Sequence, residues 1–240
     1  MNEQVIDFVD LRSATTSTAA SWVVQCDFDG TISLVDVTDS LLERFGRPGW
    51  RALEADWESG RIGSRECMKG QIALLDMGED ELDAHLDTIA IDPHFPAFVR
   101  AAERAGQLVQ VVSDGLDRAI HHVLARHGLG HLPVIANQLV ADGPRAWKLQ
   151  SPYASGACVR ASGNCKCERL AEQRAQQRQV LYVGDGASDF CVSGKADFVL
   201  AKARLIGYCR DHQIAHAAFT DFSEAIALHD EITAGATVAP

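Results

Sequence analysis

The sequence predicts an α/β protein with a doubly wound parallel sheet and a small inserted helical domain. Short apolar runs that end in polar or glycine residues are typical of buried parallel strands. These runs alternate along the chain with amphipathic helical patterns, as in a doubly wound sheet. After the first run, the alternation is interrupted by a long stretch that has helical periodicity alone.

Four apolar runs give the predicted strands, which cover residues 22–26, 108–112, 180–183 and 198–200. The helical patterns that follow or precede them cover residues 95–105, 117–126, 165–177 and 204–212. Residues 1–20 read as a loose lead-in to the first strand. The strands and helices together form one sheet with helices on both faces.

The interruption covers residues 34–91, where apolar residues recur at helical spacing without a convincing strand. Pro93 and Pro96 mark the return to the alternating pattern. We therefore expect residues 1–33 and 92–240 to form the core domain and residues 34–91 to form a helical cap. Nothing in the sequence decides whether the protein is a monomer or a homodimer.

Composition narrows the classes of partner. The net charge of -11 argues against nucleic acid as a ligand, because an acidic surface repels phosphate backbones. The sequence has no apolar stretch of the length that crosses a membrane. The seven cysteines are an odd number, and no secretory signal is recognisable, so reduced thiols and a cytoplasmic location are expected. Cys158, Cys165 and Cys167 do not follow a familiar zinc spacing, and whether they bind anything stays open.

Small, polar or acidic residues follow three of the predicted strands. The segments are Asp27-Phe28-Asp29-Gly30-Thr31, Ser113-Asp114-Gly115 and Gly184-Asp185-Gly186-Ala187-Ser188-Asp189. The carboxyl ends of parallel strands meet at one edge of a sheet, where ligands bind. A surface turn is the alternative for the first segment. A string of this type arises by chance on the order of once in a few hundred chains, which favours an active site.

The chemistry follows from the residue types. Four carboxylates at one site (Asp27, Asp29, Asp185, Asp189) repel one another unless a cation holds them, and hard oxygen ligands suit Mg²⁺. A carboxylate can attack phosphorus, and a second carboxyl group two residues on can protonate the leaving oxygen. The hydroxyl groups of Thr31 and Ser113 can donate to phosphoryl oxygens. These residues predict transfer or hydrolysis of a phosphoryl group.

At these three segments the sequence resembles the haloacid dehalogenase superfamily, and the resemblance covers nearly the whole chain after residue 20. It implies a Rossmann-like core with a cap. It also implies that Asp27 is the nucleophile and that Asp29 is the general acid and base, with a backbone carbonyl on Mg²⁺. Ser113 would bind phosphate together with Gly115, and Asp185 and Asp189 would form or support the metal site. The second aspartate is present in phosphatases and phosphomutases of this superfamily and absent from its dehalogenases.

The superfamily also requires a lysine, and the sequence offers four candidates (Lys148, Lys166, Lys195 and Lys202). Lys166 fits best, because the family places this lysine at the start of the helix before the third motif strand. It would bind the phosphoryl group. Lys148 reads instead as a solvated residue of a hairpin.

The position of the inserted helices resembles that in the phosphoserine phosphatases. The segments 26–31, 165–166 and 184–191 are more similar to two neighbouring groups, the methionine-salvage phosphatases and the phosphoethanolamine/phosphocholine phosphatases. The substrate of the first group is 2-hydroxy-3-keto-5-methylthiopentenyl-1-phosphate. Asp36 and Gln71 are the expected substrate contacts of the cap. Gln71 stands where a phosphoserine phosphatase has an arginine, and an amide cannot grip a carboxylate as a guanidinium does.

The resemblance predicts a magnesium-dependent hydrolase of a small phosphate monoester. The methionine-salvage ester, phosphoserine, phosphoethanolamine and phosphocholine all remain open as substrates. A phosphomutase is an alternative, because it shares the motifs. A non-catalytic protein that binds a phosphorylated ligand is a second alternative from another class.

Overall fold

The computed structural model describes residues 21–234. The strands are β1 (Trp22–Cys26), β2 (Leu108–Leu116), β3 (Val134–Ala141), β4 (Trp147–Gln150), β5 (Gln179–Gly184), β6 (Phe198–Ala201) and β7 (His216–Ala218). The first five helices are α1 (Val37–Phe45), α2 (Trp50–Glu58), α3 (Ser64–Ile72), α4 (Glu79–Leu86) and α5 (Phe95–Arg104). The others are α6 (Asp117–Arg126), α7 (Lys166–Ala175), α8 (Phe190–Ser193), α9 (Ala203–Asp211) and α10 (Phe222–Thr233). The predicted lead-in, residues 1–20, lies outside the described residues.

The strands form one seven-stranded sheet in the order β4-β3-β2-β1-β5-β6-β7. All neighbouring strands run parallel except β4, which pairs antiparallel with β3 at one edge. β1 lies in the centre and pairs with β2 on one side and with β5 on the other. The chain builds one half of the sheet outward from β1 and then returns to build the other half. The carboxyl end of β1 therefore lies at a topological switch point, where such sheets bind ligands.

The doubly wound fold and the four predicted strands are confirmed. β2 continues beyond the predicted end at residue 112 and includes Ser113, Asp114 and Gly115. Its pairing with β3 shifts register between Val112 and Leu116, so the polar residues occupy an irregular strand end. Sequence analysis missed β7, α8 and α10, and of the β3–β4 hairpin it placed Lys148 without giving the bounds of either strand. β4 alternates buried and exposed side chains over four residues, and β7 has three residues, so neither forms an apolar run.

Helices cover both faces of the sheet. On one face, α5 and α10 contribute an aromatic cluster in which the ring centroids of Phe95 and Phe222 are 4.8 Å apart and those of Phe98 and Phe222 are 5.1 Å apart. On the other face, Tyr182 and Leu205 are fully buried in a second cluster with side chains of α7, α8 and α9. Both faces of β1 are buried, which explains why four of its five residues are apolar.

Residues 34–91 contain α1 to α4, so the helical periodicity of this stretch is confirmed. A single antiparallel bridge between Ser33 and Ile91 joins the points where the stretch leaves and re-enters the core. Its far end contacts β3–β4, where Trp147 Nε1 donates to the carbonyl oxygen of Met77 at 2.9 Å. None of the helices in residues 21–234 is long and apolar enough to cross a membrane.

Candidate active site

The three motif segments meet at the carboxyl edge of the sheet. They line a cleft of about 390 Å³, to which Asp27, Asp29, Ser113, Gly115 and Asp185 contribute. The opposite wall comes from α1, α2 and α3 and includes Asp36 and Gln71. The structure thus brings together the core residues predicted to act on phosphate and the two residues predicted to contact the rest of the substrate.

Gly30 turns the chain away from the sheet directly after the two motif aspartates. The φ angle of Gly30 is +72°, a backbone conformation that glycine adopts more readily than other residues. A Cβ atom at this position would lie 2.5 Å from Oδ2 of Asp185. The turn therefore lets the β1 and β5 carboxylates approach each other. Thr31 follows the turn, and its hydroxyl donates to Oδ1 of Asp185 at 3.2 Å. Thr31 is fully buried, so the structure places its hydroxyl on Asp185.

Lys166 is the first residue of α7 and lies between two buried carboxylates. Its Nζ is 2.8 Å from Oδ2 of Asp27 and 2.7 Å from Oδ1 of Asp189. It also donates to the hydroxyl oxygen of Ser188 at 3.2 Å. Lys148 instead pairs with Asp142 on the exposed β3–β4 hairpin, at 2.8 Å. The structure thus distinguishes Lys166 from Lys148 as the lysine of the site.

Asp189 receives hydrogen bonds from the protein on both carboxylate oxygens. Oδ1 accepts from the Tyr182 hydroxyl at 2.6 Å and from Lys166. Oδ2 accepts from the backbone N–H groups of Asp185 at 3.0 Å and Gly186 at 3.2 Å. A carboxylate has about four lone-pair positions, so these donors saturate Asp189. The carboxylate of Asp189 is thereby fixed in position beside Asp27 and Asp185.

The site carries an excess of negative charge. Oxygens of Asp27, Asp185 and Asp189 lie within 4.8 Å of one another. Burial, and then the charge of Asp189, raises the pKa of Asp27 to about 8. Burial lowers the pKa of Lys166, but the charges of Asp189 and Asp27 outweigh it and raise that pKa overall. Among the described residues, Lys166 alone lies within ion-pair distance of these three carboxylates, and their oxygen donors fit a divalent cation such as Mg²⁺.

Asp29 is turned toward the cleft beside Gly115. Its Oδ1 accepts the backbone N–H of Val37, the first residue of α1, at 2.9 Å. Burial, and then the charge of Asp36, raises the pKa of Asp29 well above its ordinary value. A carboxyl group in this environment retains its proton more readily, as a general acid must.

Ser113 presents its hydroxyl to the same side of the cleft. Its Oγ accepts the backbone N–H of Gly115 at 2.9 Å. The hydroxyl hydrogen has no acceptor among residues 21–234, so it is free to donate to a ligand. This geometry suits the predicted contact with a phosphoryl oxygen.

Sequence reasoning missed a polar network beneath the cleft, centred on Asp114. Oδ1 of Asp114 accepts from the backbone N–H of Asn164 at 2.9 Å and from Nδ2 of Asn137 at 3.0 Å. Nδ2 of Asn164 donates to the carbonyl oxygen of Ser113 at 2.8 Å. The network ties the start of the Lys166 helix to the end of β2. The inclusion of Asp114 in the Ser-Asp-Gly segment was the available signal.

The same network reaches the inserted helices. The Ser64 hydroxyl, at the start of α3, donates to Oδ2 of Asp114 at 2.9 Å. One residue later, the N–H of Arg65 donates to the carbonyl oxygen of Ala161 at 3.0 Å. These two bonds hold α3 against the core beside the cleft.

Asp36 and Gln71, the expected substrate contacts of the inserted helices, both line the cleft. The Asp36 side chain accepts the N–H of Asp39 at 2.9 Å and so caps α1. Gln71 is 6% exposed and lines the cleft. All seven cysteines lie within residues 21–234 and are free thiols. The structure gives no grouping of Cys158, Cys165 and Cys167 as three metal ligands among these residues.

Comparison with known proteins defines the class. Residues 24–193 match the family model of the haloacid dehalogenase-like hydrolases. The chain belongs to this family, and its class is that of the phosphoric monoester hydrolases.

The relatives show which members of the class the chain is similar to. It is 28% identical over 211 residues to a 2-hydroxy-3-keto-5-methylthiopentenyl-1-phosphate phosphatase of Geobacillus thermodenitrificans, with 85% of this chain and 93% of the relative covered. It is also 28% identical over 202 residues to a protein of the same name from an Exiguobacterium species, covering 83% and 93%. Among solved structures, a substrate-bound phosphoserine phosphatase superposes with a TM-score of 0.68 at 17% identity, covering 87% of this chain and 98% of that one.

Proposed function

We propose that the protein hydrolyses a small phosphate monoester in two steps, through a phosphoryl group carried on Asp27, and that it requires Mg²⁺. The observation that carries this proposal is the placement of Lys166 between Asp27 and Asp189, with Asp185 beside them. A buried nucleophilic carboxylate, a cation and further oxygen donors are the parts that phosphoryl transfer needs.

In the first step, an oxygen of Asp27 attacks phosphorus while the bond from phosphorus to the ester oxygen breaks. Asp29 gives its proton to the departing oxygen, which leaves as an alcohol. In the second step, Asp29 takes a proton from water, and the water oxygen displaces Asp27 from phosphorus. Inorganic phosphate is released, and Asp27 and Asp29 return to their starting states.

We propose that the phosphoryl oxygens are bound by Lys166 and by Ser113, on the side of the cleft that Gly115 also lines. Asp27 and Asp185 are proposed to hold Mg²⁺, with Asp189 orienting them and the backbone carbonyl of Asp29 as a further donor. When bound, Mg²⁺ neutralises charge at the phosphoryl group. Thr31 supports this arrangement by fixing Asp185.

We further propose that residues 34–91 act as a cap on a core formed by residues 1–33 and 92–240. Three observations support this: the Ser33–Ile91 bridge, the two-sided cleft, and the Ser64–Asp114 hydrogen bond across it. Closure would position the substrate and limit water at the site.

The curated relatives carry the name of the methionine-salvage phosphatase, and its phosphoester is therefore one candidate substrate. Phosphoserine, phosphoethanolamine and phosphocholine are the other candidates. The test is release of inorganic phosphate from these esters by purified protein in Mg²⁺. We expect release that is abolished by EDTA and by Asp27→Asn, with the fold of the variant retained by circular dichroism.

Asp80→Asn is the matched control, because it makes the same change on the exposed first turn of α4. Activity in Asp27→Asn equal to that of the unchanged protein would refute the mechanism. Production of an isomeric phosphate ester without free phosphate would indicate a phosphomutase. Tight binding of phosphate esters without any turnover would indicate a non-catalytic protein.

A further inference from the structure

Two buried polar side chains face the cleft from the inserted helices and lack partners. Thr38 of α1 is 5% exposed and Gln71 of α3 is 6% exposed, and both line the cleft. Among residues 21–234, neither side chain has a hydrogen-bond partner. By contrast, Ser40 on the same helix as Thr38 pairs with His85 at 3.0 Å. Both residues line the open cleft, so a ligand with complementary polar atoms can form hydrogen bonds with them.

The same wall carries four carboxylates, those of Asp36, Asp39, Glu54 and Glu58. Within the described part of the chain, none of the four has a cationic partner within ion-pair distance. Elsewhere in the inserted helices, carboxylates do pair with arginines, as Asp76 does with Arg47 at 3.2 Å. Burial, and then the charges of Glu54 and Glu43, raises the pKa of Asp39, although Arg51 lowers it. The carboxylates therefore repel one another across the open cleft.

Trp57 lies among these carboxylates and is 36% exposed although it lines the cleft. The face of an indole ring attracts cations, most strongly where water is partly excluded. Cys67 and Met68 of α3 also line the cleft and give it a weakly polar surface. An ammonium group with a short carbon chain would meet carboxylates, an indole ring and apolar surface in this region.

The positive groups lie at the opposite side. Lys166 is beside Asp27 in the core, and Arg204 lines the cleft from the first turn of α9, near Asp185. No lysine or arginine of the described residues 34–91 lines the cleft. Among the described residues, the cations of the cleft therefore belong to the core side, where they lie among Asp27, Asp29 and Asp185, whereas the inserted helices present carboxylates as their charged groups. A dipolar ligand would bind with its phosphate at the core and a positive group at the helices.

We propose that the substrate is the phosphate ester of a small amino alcohol, with its protonated amine bound by the wall of Thr38, Gln71, Trp57 and the four carboxylates. The amine would donate to the Thr38 hydroxyl oxygen and to the Gln71 amide oxygen. This inference rests on the proposed phosphatase function of the same site. A substrate carboxylate would be repelled by this wall, and a neutral methylthio chain would leave the four carboxylates without a cationic partner.

The test compares two esters of nearly equal shape, O-phosphoethanolamine and n-propyl phosphate, which differ by exchange of an ammonium group for a methyl group. With Mg²⁺ present, we expect kcat/KM to be at least about tenfold higher for the amine, a difference of about 1.4 kcal/mol. Glu54→Gln should move the ratio of the two values toward one. Asp80→Asn, the same change of charge outside the cleft, should leave the ratio unaltered.

Glu54 is the informative position because Asp36 also caps α1. Added salt should reduce the preference, since ions screen the carboxylates. Equal rates for the two esters, or a higher rate for phosphoserine or for the methylthiopentenyl ester, would overturn the inference and leave the phosphatase function intact. Failure to release phosphate from p-nitrophenyl phosphate and from every other ester would overturn the proposed function itself.

Discussion

The Nζ atom of Lys166 lies 2.8 Å from Oδ2 of Asp27, and both side chains are almost completely buried, at 3% and 5% exposure. The same nitrogen contacts Asp189, so a single cation holds two carboxylates from different strand ends. Lys166 is therefore the cation that directly joins the two buried carboxylates of the proposed active site.

Lys166→Met removes this cation without removing the volume of the side chain. Breaking a buried ion pair from one side costs roughly 3–5 kcal/mol, so the free energy of unfolding should fall by an amount of that order. Phosphate release should also be lost. Chemical denaturation with and without Mg²⁺ is the measurement, and Mg²⁺ should restore part of the stability because it returns positive charge.

Lys148→Met is the control for this experiment, since Lys148 forms an exposed pair with Asp142 and should contribute little. If Lys166→Met proved as stable as Lys148→Met, the buried pair would not have the importance assigned to it.

Gly30→Ala tests the close approach of the β1 turn to Asp185. A Cβ atom would lie 2.5 Å from Oδ2 of Asp185, and the positive φ adds backbone strain. We expect a loss of stability above the roughly 1–2 kcal/mol of a left-handed alanine, and weaker Mg²⁺ binding by isothermal titration calorimetry.

Gly60→Ala separates the two causes. Gly60 has φ +76° with nothing within 4 Å of an added Cβ atom, so it carries the strain without the crowding. Gly60→Ala should lower stability and leave Mg²⁺ binding unchanged. An equal effect of both variants on Mg²⁺ binding would contradict the role of Gly30.

Tyr182→Phe removes one hydrogen-bond donor from Asp189. The hydroxyl oxygen of Tyr182 lies 2.6 Å from Oδ1, and loss of a buried hydrogen bond to a charged group costs roughly 1.5–3 kcal/mol. With Asp189 less firmly held, Mg²⁺ affinity and kcat should fall several-fold while KM changes less. Calorimetry and steady-state kinetics give these values.

Tyr208→Phe is the matched tyrosine control, because Tyr208 stacks between Phe190 and His212 away from the site. It should leave Mg²⁺ affinity unchanged. The assignment to Tyr182 fails if both variants behave alike.

Ser64→Ala removes the hydrogen bond from the inserted helices to Asp114. If this bond favours the closed arrangement, KM should rise several-fold with a smaller change in kcat, because closure contributes to substrate binding. Ser59→Ala is the control, since the Ser59 hydroxyl donates only to the carbonyl oxygen of Asp56. An unchanged KM in Ser64→Ala would show that the bond is not part of substrate binding.

The sequence predicted the central strands well because their side chains are buried on both faces. β1 and β5 are mostly apolar, and each ends at a polar segment of the site. The bounds of the edge strands β4 and β7 were not predicted, because short, half-exposed strands do not produce apolar runs. Helical periodicity gave the inserted helices, and the bounds of α6 matched the prediction at both ends.

The motif residues could be found from the sequence because each motif is a short contiguous segment that follows a predicted strand or begins a predicted helix. Asp27, Asp29, Ser113 and Asp185 each stand at the end of a predicted strand, and Lys166 was chosen by its place at a helix start. Their individual catalytic and metal-binding roles remain predictions, for which the variants above provide tests.

The sequence by itself determined the family, the layered fold and the carboxylates at one edge of the sheet, because strand periodicity and motif order depend on residues close together in the chain. Only the tertiary structure decided that Tyr182 saturates Asp189, that Thr31 turns to Asp185, and that Thr38 and Gln71 lie unpaired in the cleft. Thr31 and Asp185 are 154 residues apart, and Tyr182 and Asp189, which are seven apart, meet through the turn that follows β5. Whether a polar side chain has a partner depends on packing in three dimensions, which local pattern does not encode.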